Sequence, residues 1–130
     1  MPAYSLKTVR KPFVGGKNIL ASEHLQFIEG AATLDAKKIG KKYLDVGTAI
    51  MRNLTTGKFE LYADDAEGAL PTGYDEFSLL NTDVNVDGEN DVVVGEVIVR
   101  GSVYDAKLPA NVTATFKKET KATIRYVKEI

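Results

Sequence analysis

The sequence contains no cysteine. That removes disulfide staples, thiolate nucleophiles and cysteine-held metals together, and it suits assembly in a reducing cytosol. Histidine is almost as scarce, with His24 the only one. A single imidazole cannot supply a two-histidine metal site and leaves a Ser-His-Asp set without choice of partner, so residues 22–24 read as a polar loop entering the first strand. Tryptophan is absent and aromatics are 8% of the chain. A nucleic-acid surface of interleaved cations and rings therefore has little to be built from. No run approaches the roughly 20 apolar residues of a membrane span, and the first residues lack the apolar core of a secretory signal. The expectation is a soluble, unsecreted protein with neither nucleic-acid nor membrane partners. The triplets beginning at Asn53 and Asn111 then read as ordinary polar turns instead of glycosylation sites.

Cations are missing from one long stretch. Between Lys58 and Arg100 there is no Lys or Arg, yet 11 of the 18 acids lie there, so the net charge of −1 conceals a segregation. The first 20 residues are the reverse, with Lys7, Arg10, Lys11 and Lys17 and no acid before Glu23. This pattern fits a solvated acidic surface with a basic tail, or a functional polarity in which a basic arm meets an acidic partner.

Acids alone do not make a catalyst. Asp64-Asp65 and Asp75-Glu76 stand in polar segments with no apolar surroundings to raise a carboxyl pKa, so acid-base catalysis is not expected. Residues 83–88, Asp-Val-Asn-Val-Asp-Gly, match the opening of an EF-hand loop, which needs oxygens at alternating positions and a glycine at the sharp turn. The match fails at the twelfth position, where Val94 stands for the closing glutamate. Asp83, Asn85 and Asp87 remain a weak calcium candidate against a polar hairpin tip between Leu80 and Val92. Gly15-Gly16-Lys17 lacks the spacing of a phosphate loop. No cofactor is expected.

A chain of 130 residues is one domain, able to bury roughly two-thirds of its unfolded surface without staples. Residues 1–20, with Pro2, Pro12, Gly15 and Gly16 and few large apolar side chains, read as an extended basic arm whose positions 4–9 weakly alternate. Residues 21–130 read as one β-rich domain. A first hairpin is expected over 25–35, turning at 29–31, with a basic loop at 35–42. A strand after the Thr56-Gly57 turn should place Phe59, Leu61 and Ala63 on one face and Lys58, Glu60 and Tyr62 on the other. An exposed acidic loop over 63–76 precedes a strand at 77–80. Residues 92–99 are apolar on both faces, as in a central strand. Pro109 seeds a short helix with Leu108, Val112 and Phe116 on one face and Lys117, Lys118 and Lys121 toward its C-terminal end, and 123–127 returns to strand. The class is mainly β with one short C-terminal helix.

Two blocks carry a family resemblance. The run Arg-Gly-Ser-Val-Tyr-Asp-Ala-Lys-Leu-Pro at 100–109, with the helix and strand after it, resembles the C-terminal part of the lambda-type head-decoration (capsid cement) proteins of tailed phages. Val46-Gly47-Thr48-Ala49 followed by Gly57-Lys58-Phe59 is similar to that family's first hairpin. Together the blocks frame residues 46–127. The resemblance implies β-clip-like bent hairpins behind an extended N-terminal arm, and a homotrimer on threefold and quasi-threefold positions of the expanded capsid. It implies a location on the outer surface of the virion after synthesis in the bacterial cytoplasm, no enzymatic activity, and arms that add to the major capsid protein. Tyr4, Leu6, Lys7, Val9, Arg10 and Phe13 are the arm residues expected to make that contact. The alternatives are a β module binding calcium or carbohydrate through the acidic 63–91 loops, a carboxylate enzyme using the same region, or a tail or fibre component.

Overall fold

The computed structural model describes residues 18–128. The expected arm and its residues Tyr4, Leu6, Lys7, Val9, Arg10 and Phe13 lie outside the described residues. The chain is mainly β with a short C-terminal helix, as its composition and turns suggest. In order it forms β1 (Gln26–Phe27), β2 (Ala32–Leu34), a one-turn helix α1 (Ala36–Ile39), β3 (Lys41–Leu44), β4 (Ala49–Asn53), β5 (Phe59–Leu61), β6 (Tyr74–Leu80), β7 (Val84–Asp87), β8 (Val92–Val94), β9 (Val97–Tyr104), a 3-10 turn (Asp105–Lys107), α2 (Ala114–Thr120) and β10 (Ile124–Val127).

The main sheet runs β1-β9-β6-β4-β5-β2-β8, with β10 added parallel to β9, while β3 and β7 form a separate antiparallel ribbon. β9 is the spine. Its first half pairs with β1 and β6 and its second with β10 and the bridge from Leu20 to Val103. The sheet curls where pairing slips: between Ile50 and Arg52 of β4 the register with β6 shifts, and opposite the slip Glu76 takes a left-handed φ of 50°. An extra residue on one strand bends it and tightens the local twist.

Curling leaves the sheet covered on both faces. Strand alternation sends Ala49, Met51, Leu79 and Ile98 into one core, which α2 closes with Phe116, and sends Ile50, Leu80 and Val97 into a second, closed by Leu44, Val84 and Val86 of the ribbon and Ala36 of α1. Tyr62 lies on the face opposite Phe59, as the alternation predicts, and is buried to 1% exposure because that face lies under α2 and not in water.

Several expectations are corrected. The 25–35 hairpin does not form: β1 pairs with β9, while β2 pairs with β5 and β8. Consecutive left-handed residues Gly30 (φ 79°) and Ala31 (φ 64°) turn the chain out of one pairing and into another. The 35–42 loop is α1 and the start of β3. Asp35 caps α1 by accepting from the Lys38 N–H, and Asp91 accepts from the Ala36 N–H, both at about 3 Å. The 92–99 strand is two strands, because the chain turns at Gly95-Glu96, leaving β8 on the sheet's edge with Val93 68% exposed. The acidic loop is shorter than expected, since Tyr74, Asp75 and Glu76 belong to β6. Finally, α2 begins after Thr113, whose Oγ1 accepts from the Phe116 N–H. Leu108 and Val112 still pack on the Phe116 core, from the turns that precede the helix.

Candidate functional site

The two blocks that carry the resemblance, 46–62 and 100–127, pack directly against each other. Gly47 sits where an added Cβ would lie 3.0 Å from Leu108 Cδ2 and 3.1 Å from Pro109 Cδ, at a φ of 95°. Asn111 works as a short artificial strand: its Oδ1 accepts from the Ala49 N–H at 3.1 Å, and its Nδ2 donates to the carbonyls of Ala49 at 2.9 Å and Tyr62 at 3.3 Å. The Tyr62 ring meets Phe116 edge-on with centroids 4.8 Å apart, and Phe77 at 5.9 Å. Asp64 accepts from both the Tyr62 hydroxyl and Thr113 Oγ1. Burial, reinforced by the hydrogen bond to Asp64, pushes the Tyr62 phenol up to about 12.

The same C-terminal block holds the root of the N-terminal segment. The Tyr104 N–H donates to the Ile19 carbonyl at 2.8 Å, and the Ala21 N–H donates to Ser102 at 2.9 Å. Lys107 Nζ donates to the Asn18 carbonyl at 3.3 Å and lies 4.9 Å from the Tyr104 ring centre. Ile19 is fully buried, so the folded body reaches back past the expected boundary at residue 20. Nothing in the local sequence marks Ile19 for this role beyond its being a branched apolar residue after Gly15-Gly16.

The acidic stretch is largely occupied with holding its own chain. Asp75 receives Arg52 Nε at 2.8 Å and Nη2 at 2.6 Å, a forked pair that holds its carboxyl below the usual carboxylate range. Asp91 is lowered first by Lys58, whose Nζ lies 2.7 Å away, and then by the Ala36 N–H. Asp87 is lowered by the N–H groups of Asn90 and Glu89, both at 2.8 Å, which it gathers into the turn after β7. Asp65 pins its loop by accepting from the N–H groups of Glu67 and Ala69. Glu60 accepts from Tyr74 and Asn53. A general acid needs its carboxyl raised; the shifted ones here go the other way.

The weak calcium candidate falls on a strand. Val84 and Val86 of β7 point inward while Asn85 and Asp87 are exposed, and Asp83 accepts from the Tyr43 hydroxyl at 3.0 Å. Alternate residues on a strand stand about 6.6 Å apart, so Asp83, Asn85 and Asp87 form a line instead of wrapping a point. The expected hairpin between Leu80 and Val92 does not form, since β7 pairs with β3 and β8 with β2, and residues 88–91 are the turn that carries the chain from one sheet to the other. Among the described residues no group of three or more His, Cys, Asp or Glu side chains is placed to hold a metal ion, and no helix is long and apolar enough to cross a membrane.

Asn111 and the Arg52–Asp75 pair are the residues that reading the sequence missed. Asn111 stands 62 positions from Ala49, and no local pattern points across that distance. Compared with protein families, with curated proteins and with solved structures, the chain matches none.

Proposed function

We propose that this protein is a structural virion component: a head-decoration protein that seats as a homotrimer on the outside of an expanded phage capsid and stabilises it. In this reading the residues ahead of Asn18 contact the major capsid protein. The observation that supports the proposal is that the two blocks, 46–62 and 100–127, on which the resemblance to lambda-type decoration proteins rests, join into one packed unit whose C-terminal half also grips the base of the N-terminal segment through Ile19. An arm transmits holding force only if its root is fixed, and two backbone hydrogen bonds together with a buried isoleucine fix this one. The partnered carboxylates, lowered where they shift, support a structural role over a carboxylate enzyme.

The physics of the arm sets the mechanism. Ordering the backbone costs about 1–2 kcal/mol per residue, more than burial of Tyr4, Leu6, Val9 and Phe13 returns. Main-chain pairing with an edge strand of the capsid adds roughly 1 kcal/mol net per hydrogen bond and sets the register. Three arms on one trimer then turn weak single contacts into firm attachment through effective concentration.

The test is co-sedimentation with expanded heads lacking their decoration protein, beside light scattering of the free protein. Full-length protein should bind saturably in multiples of three per face. Deletion of residues 1–16 should leave a folded body, because the described core begins at Ile19, and should abolish binding. Full occupancy by the truncated protein would overturn the arm mechanism; failure of the full-length chain to bind any such head would overturn decoration itself.

A further inference from the structure

The stripe 114, 117, 118 and 121 follows the helical i, i+3, i+4, i+7 rule. It places Lys117, Lys118 and Lys121 along one side of a groove of about 680 Å³. The other side is β10, contributing Ile124, Arg125 and Tyr126. Lys117 is committed, paired with Asp105 and 5.9 Å from the Tyr126 ring centre. Lys118, Lys121 and Arg125 are exposed and pair with no acid among the described residues. β10 hydrogen-bonds β9 on one side, and among the described residues no strand covers its other edge.

We infer that the α2–β10 groove is a docking site for an extended acidic peptide segment of a partner protein, added as a strand to the free edge of β10. Three features select that occupant. An unpaired edge is a row of backbone donors and acceptors that only another extended backbone matches along its length. The free cations beside it call for carboxylates on the incoming strand. The same cations repel the identical edge of a second copy, so self-pairing through β10 is disfavoured while an acidic strand is drawn in. A nucleic acid would meet the charge but leave the backbone edge unmatched.

The experiment uses the full-length chain and a fluorescein-labelled hexapeptide alternating glutamate or aspartate with valine. Its controls are the glutamine/asparagine analogue, a version N-methylated on one edge, and an oligothymidylate. Binding of the acidic peptide should saturate, weaken with added salt, and weaken about tenfold or more in the doubly reversed variant Lys118→Glu with Lys121→Glu. It should be lost with the N-methylated peptide. Both lysines are exposed, so the variant keeps its fold, which urea unfolding checks. In the parent protein, bound peptide should perturb amide resonances of 124–127. Failure to saturate, equal affinity for the charge-reversed variant, equal binding of the N-methylated peptide, or tighter binding of oligothymidylate would each overturn strand docking here.

Discussion

Replacing Asn111 with alanine tests the join between the two blocks more sharply than any core truncation. The side chain bonds three backbone atoms of two other segments: the N–H and C=O of Ala49 and the C=O of Tyr62. The Ala49 carbonyl keeps a second partner, the Tyr62 N–H at 2.9 Å, so it is not orphaned by the change. The Ala49 N–H and the Tyr62 C=O lose the bonds Asn111 gave them, and both residues are buried. A buried polar group stripped of its partner costs about 1–3 kcal/mol, so Asn111→Ala should destabilise by about 2–5 kcal/mol. Set against the roughly 5–15 kcal/mol of an ordinary domain, that is a large fraction. Asn111→Asp is the informative companion. It keeps the acceptor for Ala49 but loses both donors and sets a charge against two carbonyl oxygens, so it should be at least as damaging as alanine despite its matching size. Urea unfolding measures both, with an unchanged slope showing that only stability has moved. A loss below about 0.5 kcal/mol for Asn111→Ala would mean that water replaces the amide, and that the clamp does not hold the blocks together.

Gly47→Ala should cost about 2 kcal/mol or more, because a left-handed φ of 95° penalises a side chain and the new Cβ would press on Leu108 and Pro109 at 3.0–3.1 Å; the midpoint of urea unfolding reads it. Val93→Thr should change stability by less than about 0.5 kcal/mol, because this valine is 68% exposed on an edge strand, whereas a central-strand valine would cost several times more. Stability should hold from neutral pH down to the carboxylate range and then fall. Asp75, Asp87 and Asp91 are depressed in the folded state, so their contribution is complete above the unfolded value of about 3.9 and is lost as pH drops through the lower folded values. Asp75→Asn should flatten part of that acid limb in thermal melts taken at stepped pH.

What the sequence disclosed and what it hid divide along one physical line. Turn chemistry and local period were legible: the Gly57 turn between β4 and β5, the strand at 124–127 and a short helix that buries Phe116 all rest on residues within a few positions of each other. The two-faced sheet was not. In β4, β6 and β9 successive residues enter different cores, so alternation there separates the two faces but carries no inside-outside signal. The same ambiguity fused β8 to β9, since three valines before Gly95 look as buried as the three apolar residues after Glu96. Charge was legible as a count but not as a function. Asp91 reads as a surface acid until the fold brings it to the start of α1, 55 positions away, and Asp64 reads as loop until Tyr62 and Thr113 converge on it. An acid-rich segment in a β protein is therefore as much a supply of hydrogen-bond acceptors for turns and helix starts as it is a surface charge. Beside β10, the exposed Lys118, Lys121 and Arg125 pair with no acid among the described residues and so stay available to a partner.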